Sequence, residues 1–216
     1  MGETASTDAT FAFVDLSGFT ALTEMCGDEQ AAHLAGRLVE LTRDSLALDV
    51  TLVKTMGDAV MLHAHGPHTM MATILDLADR AADEDGFLGL RAGVHHGSAV
   101  HRDHDYFGHA VNTAARVTAL AGAGHAVLTE PILPACEALG ITAHPLGATA
   151  LRNISAPVAV YRVQLPPPQH PTDPVCRIRV DPRTATHHLR HNDNDLWFCS
   201  DRCAQRFAAH PARYAA

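Results

Sequence analysis

The stretch that most constrains this chain runs from Asp105 to Arg116, Asp105-Tyr-Phe-Gly-His-Ala-Val-Asn112-Thr-Ala-Ala-Arg116. It opens as a short extended segment, passes through Gly108 and continues as a helical run. Asn112 and Arg116 are four residues apart, so a helix projects both from one face. An amide beside a guanidinium suits a polar, anionic ligand, because the amide can orient it while the planar fork grips phosphate oxygens. Taken by spacing alone, a solvated amphipathic helix is the simpler account.

The pattern D-Y-F-G-x-x-V-N-x-A-A-R resembles the signature helix of class III nucleotidyl cyclases, and two earlier stretches resemble the same family. Residues 11–16, Phe-Ala-Phe-Val-Asp15-Leu, read as a buried strand that Ser17-Gly18 turn into a helix. A carboxylate ending an apolar strand is costly unless it is paired, hydrogen-bonded or metal-bound; a helix cap is the plainer alternative. F-V-D-L-S-G-F-T resembles the cyclases' first metal motif, which implies that Asp15 binds both catalytic ions and that the following turn presents backbone groups to a triphosphate. Glycine at 18 permits such an approach. Residues 51–62 read as a β-hairpin turning at Met56-Gly57-Asp58, and K-T-x-G-D-A resembles the second metal motif, with Asp58 as the partner of Asp15. Two hard carboxylates from adjacent strands suit Mg²⁺ or Mn²⁺.

Around these motifs, Leu34, Leu38 and Leu41 mark a helix from Asp28 to about Leu48, with Asp28 as its cap and Cys26 and His33 packed beside it. Pro67 to Asp85 reads as a second helix. Residues 88–100 read as a long strand rich in small residues, resembling the family's R-x-G-x-x-x-G strand, whose glycines allow packing against the first strand. His95 and His96 read as structural. Ala119–Thr129 bends back into a strand, Pro131–Leu139 is a short helix, and Ile141–Pro145 and Val158–Val163 are closing strands. Arg152 falls where the family has a Lys-Gly pair before its last strand. It keeps the charge for a phosphate contact, while Asn153 replaces the glycine.

The resemblance implies an α+β, ferredoxin-like βαββαβ core over residues 8–164 and an adenylate cyclase making 3′,5′-cyclic AMP and pyrophosphate from ATP. It implies two ions shared by Asp15 and Asp58, Arg116 stabilising the transferred phosphoryl group, and Asn112 orienting the ribose. Lys54 and Asp105 would read the adenine edge, the ammonium donating to a ring nitrogen and the carboxylate accepting from the 6-amino group. A homodimer with interfacial sites follows from the same family. A guanylate cyclase would carry Glu and Cys, or a similar pair, at 54 and 105. A non-catalytic homologue would have lost a metal Asp or the Arg.

Residues 165–174 hold five prolines and read as a semi-rigid linker, bounded at 165–172. Beyond it, residues 173–216 carry three of the five cysteines as Cys176-x22-Cys199-x3-Cys203. This tail resembles the YHS/TRASH heavy-metal module, a small Cys-rich ββα unit, with Arg177-Ile178 where that family has Gly-Met. So small a piece buries little core and commonly needs a metal or disulfide. Soft sulfur selects Zn²⁺, Cu⁺ or iron, and His187 or His188 could add a fourth ligand.

A formal charge of −8 argues against a general nucleic-acid or membrane-surface binder. No apolar run approaches the roughly 18 residues that span a bilayer, and no signal peptide precedes the first strand, so the chain reads as cytoplasmic. Met1-Gly2 through Ser6 fits the short N-myristoylation pattern, common by chance, and is set aside.

Overall fold

The computed structural model describes residues 5–214, so residues 1–4 of the Met1–Ser6 pattern lie outside the described residues. The chain runs β1 (Ala5–Ser17), α1 (Phe19–Cys26), α2 (Asp28–Ser45), β2 (Val50–Met56), β3 (Ala59–Ala64), α3 (Pro67–Asp83) and β4 (Gly89–Arg102). These four strands lie in the order β2-β3-β1-β4, the mixed α+β arrangement expected. β5 (Asp105–Phe107) folds back on β4, and α4 (His109–Thr118) follows. β6 (His125–Thr129), a 3-10 turn, α5 (Leu133–Ala138), β7 (Ala143–Thr149) and β8 (Val158–Gln164) extend the sheet through β4-β6-β8-β7. Only the β4–β6 pairing is parallel among the described strands.

The apolar run in β1 is continuous because both of its faces are covered. Ala12, Val14 and Leu16 point into the large core shared with α2 and α3, while Phe11 and Phe13, alternating with them, face α4 through Ala110 and Ala114. Gly93 accounts for how close α4 can come. A Cβ at that position would lie 2.2 Å from the Thr118 backbone nitrogen and 2.5 Å from its Cα. The space over this glycine is therefore filled by the end of α4, not by the first strand, whose partnership with β4 is a regular antiparallel ladder.

A second correction concerns α2. Its N-cap is Gly27, and Asp28 lies inside the first turn with Glu29, where their charges favour the helix dipole without capping it. Cys26 accordingly ends α1, one residue outside α2.

The tail forms β9 (His187–His191), β10 (Asn194–Phe198), α6 (Asp201–Ala209) and α7 (Pro211–Tyr214). Its buried residues, among them Val175, Ile178, Phe198 and Phe207, belong to the same cluster as Leu22, Leu77 and Phe87. Backbone bonds join the two stretches as well: Gly86 N–H donates to the Arg179 carbonyl at 3.2 Å and Arg179 N–H to that of Phe87 at 3.0 Å. The Arg179 guanidinium, itself buried, donates to the Ala81 carbonyl. The proline-rich segment is tied down too, by His170 on Asp85 at 2.5 Å and Gln169 on Asp83.

Candidate active site

Register brings the two motif carboxylates together. Asp15 lies opposite Ala59 on β3 and Arg91 on β4. Asp58 occupies the turn before β3, where Gly57 takes φ 63°, and its carbonyl accepts from Leu16 N–H at 3.1 Å. The Asp15 Oδ2 accepts from Arg91 Nη2 at 2.6 Å and Nε at 3.1 Å. Its Oδ1 is buried with no hydrogen-bond partner. Burial pushes the Asp15 carboxyl above the ordinary carboxylate range; the Arg91 guanidinium opposes this and the neighbouring Asp58 charge reinforces it. An orphaned, hard, anionic oxygen beside a second carboxylate fits a divalent cation such as Mg²⁺ or Mn²⁺. Sequence reasoning missed Arg91 as the counter-ion of Asp15; the only signal was an arginine opening the small-residue strand that pairs with the strand carrying Asp15.

Past Asp15 the chain turns at Gly18, which takes the left-handed φ 89° and starts α1 without a side-chain cap. Such a φ favours glycine. A Cβ there would also meet Cβ and Cγ of Arg177 at 2.9 Å, so the tail lies directly against this turn.

Lys54 and Asp105 form an ion pair at 2.5 Å, both partly exposed. They are far apart along the chain, Lys54 on β2 and Asp105 on β5, the short strand that folds back on β4. Asp103 and His104 make a tight turn with φ 50° and 62°, the geometry that matches strand twist in short hairpins. Tyr106 then stacks on His63 at 4.3 Å and meets Phe11 edge-on at 5.3 Å. Burial pulls Asp105 upward, but the Lys54 ammonium and the Tyr106 N–H outweigh it and hold the carboxyl below its usual value.

Gly108, at φ 136°, leads into α4. Asn112 and Arg116 are both exposed on this helix, one turn apart, away from the buried Ala110, Ala114 and Val117. Arg152 is exposed in the turn between β7 and β8. Beside it Asn153 adopts φ 62°, a conformation asparagine tolerates, so the turn keeps a glycine-like backbone. His95 donates to or accepts from Thr129 Oγ1 at 2.7 Å, and burial drops its pKa to about 4, leaving it neutral.

A second cluster lies behind the Gly18 turn. Cys199 follows β10 and Cys203 sits in the first turn of α6, with Ser200 capping it through the Cys203 N–H at 3.3 Å. Sγ of Cys199 is 3.4 Å from that of Cys176 and 3.7 Å from that of Cys203. Hydrogen bonds from both neighbours favour Cys199 as the thiolate of the group. Asp173 brings a carboxylate oxygen into the same cluster, all four ligand atoms lying within 4.8 Å of one another. His188 is directed elsewhere, bonding Asp195 at 2.7 Å and packing on Trp197. Neither it nor His187 belongs to the cluster.

The adenylate and guanylate cyclase catalytic-domain family matches residues 2–163. The "pH-sensitive adenylate cyclase MT1302" of Mycobacterium tuberculosis is 42% identical over 159 residues, covering 72% of this chain and 40% of that protein. An adenylate cyclase of Streptomyces griseus is 34% identical over 110 residues, covering 50% of this chain and 28% of its own. The chain thus spans about two fifths or less of these relatives' length. Among solved structures, the adenylyl cyclase CyaB from P. aeruginosa superposes with TM-score 0.62 at 24% identity, over 75% of this chain and 96% of that one. The catalytic core of a rhodopsin-guanylyl cyclase with converted specificity gives 0.67 at 19%, over 77% and 100%.

Proposed function

Since this chain belongs to the adenylate and guanylate cyclase catalytic-domain family, we propose that it converts ATP to 3′,5′-cyclic AMP and pyrophosphate. The observation that carries this reading is the Asp15–Asp58 pair, with one buried carboxylate oxygen left without a protein partner. Bound there, a pair of Mg²⁺ or Mn²⁺ ions would supply the charge that activates the ribose 3′-hydroxyl and shields the phosphates. The reaction needs no protein nucleophile, so the chain's own residues contribute position and charge. Arg116 faces the phosphoryl group being transferred, Asn112 orients the ribose, and Arg152 lies ready for the phosphates. The Gly18 turn, in its left-handed conformation, leads from Asp15 into α1 with the Arg177 side chain lying against it.

Choice of base rests on Lys54 and Asp105. An ammonium and a carboxylate match a ring acceptor and the 6-amino donor of adenine; guanine presents the reverse pattern and would leave them unpaired. Asn112 and Arg116 are exposed, and two large apolar side chains are exposed too: Phe107, shortly before Asn112, at 52% and Met56, in the motif that carries Lys54 and Asp58, at 39%. That surface supports a homodimer in which Asp15 and Asp58 of one subunit face Lys54, Asp105, Asn112 and Arg116 of the other. We infer also that Cys176, Cys199 and Cys203 hold a thiophilic ion, Zn²⁺ or Cu⁺, in a metal module over 173–216 after the 165–172 linker. Incubation with Mn-ATP and, separately, Mn-GTP, with assay of both cyclic products, tests the main reading. Cyclic AMP is expected; cyclic GMP alone would reassign the base, and no product from either would make the chain a nucleotide-binding homologue.

A further inference from the structure

Arg179 of the tail is 6% exposed, yet its charge has no counter-ion among the described residues. A guanidinium carries five N–H donors. The protein acceptor that meets it among those residues is the Ala81 carbonyl of α3, bonded by Nη1. A buried cation left unpaired is costly. The carboxylates closest in sequence to either partner are already taken. Asp83 accepts from Gln169, Glu84 from Arg37, Asp85 faces His170 at 2.5 Å, and Asp181 accepts from Arg183 at 2.9 Å. Burial pulls the guanidinium below its ordinary pKa, with no carboxylate to offset it.

The same residue lines a cavity of about 230 Å³ shared by the proline-rich segment, the sheet and α3. Ala78 of α3, Leu90 of β4, Ala123 ahead of β6, and Leu165 and Pro167 form much of its wall. Ala81, whose carbonyl Arg179 reaches, lies about one helical turn beyond Ala78, which brings the guanidinium to this side of α3. Leu90 belongs to the core on the α3 face with Val14 and Leu16. Arg91 and Asp15 occupy the alternating positions of the same two strands, so the sheet separates this cavity from the Asp15–Asp58 pair.

We propose that the cavity binds a small organic monocarboxylate, its carboxylate on Arg179 and its hydrocarbon part among Leu90, Leu165 and Pro167. The class follows from the wall. The planar fork of a guanidinium matches the two oxygens of a carboxylate, and the apolar remainder suits a short alkyl chain. A phosphate would bring a second negative charge, whereas Arg179 is the one cationic side chain of the wall among the described residues. An occupant there touches core, linker and tail at once, and so secures the tail on the sheet.

The test titrates the full chain calorimetrically with butanoate and, separately, with 1-butanol, which keeps the alkyl chain without the charge, chloride holding the ionic strength constant. One butanoate per chain is expected, bound at least about tenfold more tightly than butanol, as a hydrogen-bonded charge requires. Arg179→Gln should weaken butanoate by a similar factor, and Arg179→Lys, which keeps the charge and loses the fork, should fall between. Ala123→Leu fills the cavity from an exposed position and leaves the guanidinium in place. It too should weaken butanoate, which separates loss of the site from misfolding of the Arg179 variants. Arg116→Ala, on the other face, should bind as wild type does. Equal affinity for butanoate and butanol would overturn the proposal, as would binding that Ala123→Leu leaves unchanged or that Arg116→Ala abolishes. So would the absence of butanoate binding to wild type, checked by saturation-transfer NMR.

Discussion

At the scale of single residues, Asp15 is held in an expensive state. Its carboxyl sits above its ordinary pKa chiefly because of burial, with the Arg91 pair only partly compensating. A raised folded-state pKa means the protonated form favours folding. Stability from this group is present below the unfolded value of about 3.8, is lost as pH rises through the higher folded value, and stays lost at neutral pH. Asp15→Asn, which cannot ionise, should therefore gain on wild type in melting temperature as pH rises from 3 to 7 without metal. Mn²⁺ should raise the melting temperature of wild type and leave the variant almost unmoved. The same substitution should lower turnover by on the order of a hundredfold, as removal of one preorganised electrostatic group does. A metal-dependent stabilisation that survives Asp15→Asn would remove this residue from the site.

At the scale of elements, α4 carries two proposed catalytic side chains and is positioned by the absence of a third. Gly93→Ala would place a methyl group 2.2 Å from the Thr118 nitrogen, and backbone on both sides leaves no flexible tip to yield. Overpacking of this kind typically costs about 1–3 kcal/mol. We expect a lower urea midpoint together with reduced kcat, because lifting the end of α4 moves Arg116; unchanged kcat in a destabilised variant would separate the helix's position from the chemistry. The elements themselves were legible from local signals. The apolar run of β1, the Gly57-Asp58 turn and the strand–glycine–helix passage at Gly108 are each written in consecutive residues. What could not be read locally was the meeting of Lys54 on β2 with Asp105 on β5, the pairing of Arg91 with Asp15, and the seating of Arg177 on Gly18. Each joins residues dozens of positions apart, and each depends on sheet twist or on packing between elements that no periodicity encodes. Asn153 is the opposite case: a departure from the family pattern in sequence that the backbone absorbs, because asparagine enters the left-handed region at little cost.

At the scale of the whole molecule, a lone chain bears outward-facing Asn112 and Arg116 on one helix and Asp15 with Asp58 at the end of β1, halves that the proposed homodimer would bring face to face. Asp58→Ala and Arg116→Ala should each be inactive alone and recover partial activity when mixed, since one of the two composite sites in the heterodimer is then intact. Absence of recovery in a heterodimer verified by mass would mean that each chain works by itself. The tail alters what a chain of this size can withstand. It is sewn to the Gly86–Phe87 edge by main-chain bonds, and Phe198 and Phe207 are buried in the same core as Leu22 of α1 and Leu77 of α3. A protease nick in the proline-rich stretch would therefore sever the covalent thread without parting the fragments. The peptide link there serves chiefly to keep the tail's local concentration high, and a tail expressed separately would find the same seat, so the two stretches could be inherited apart and still meet.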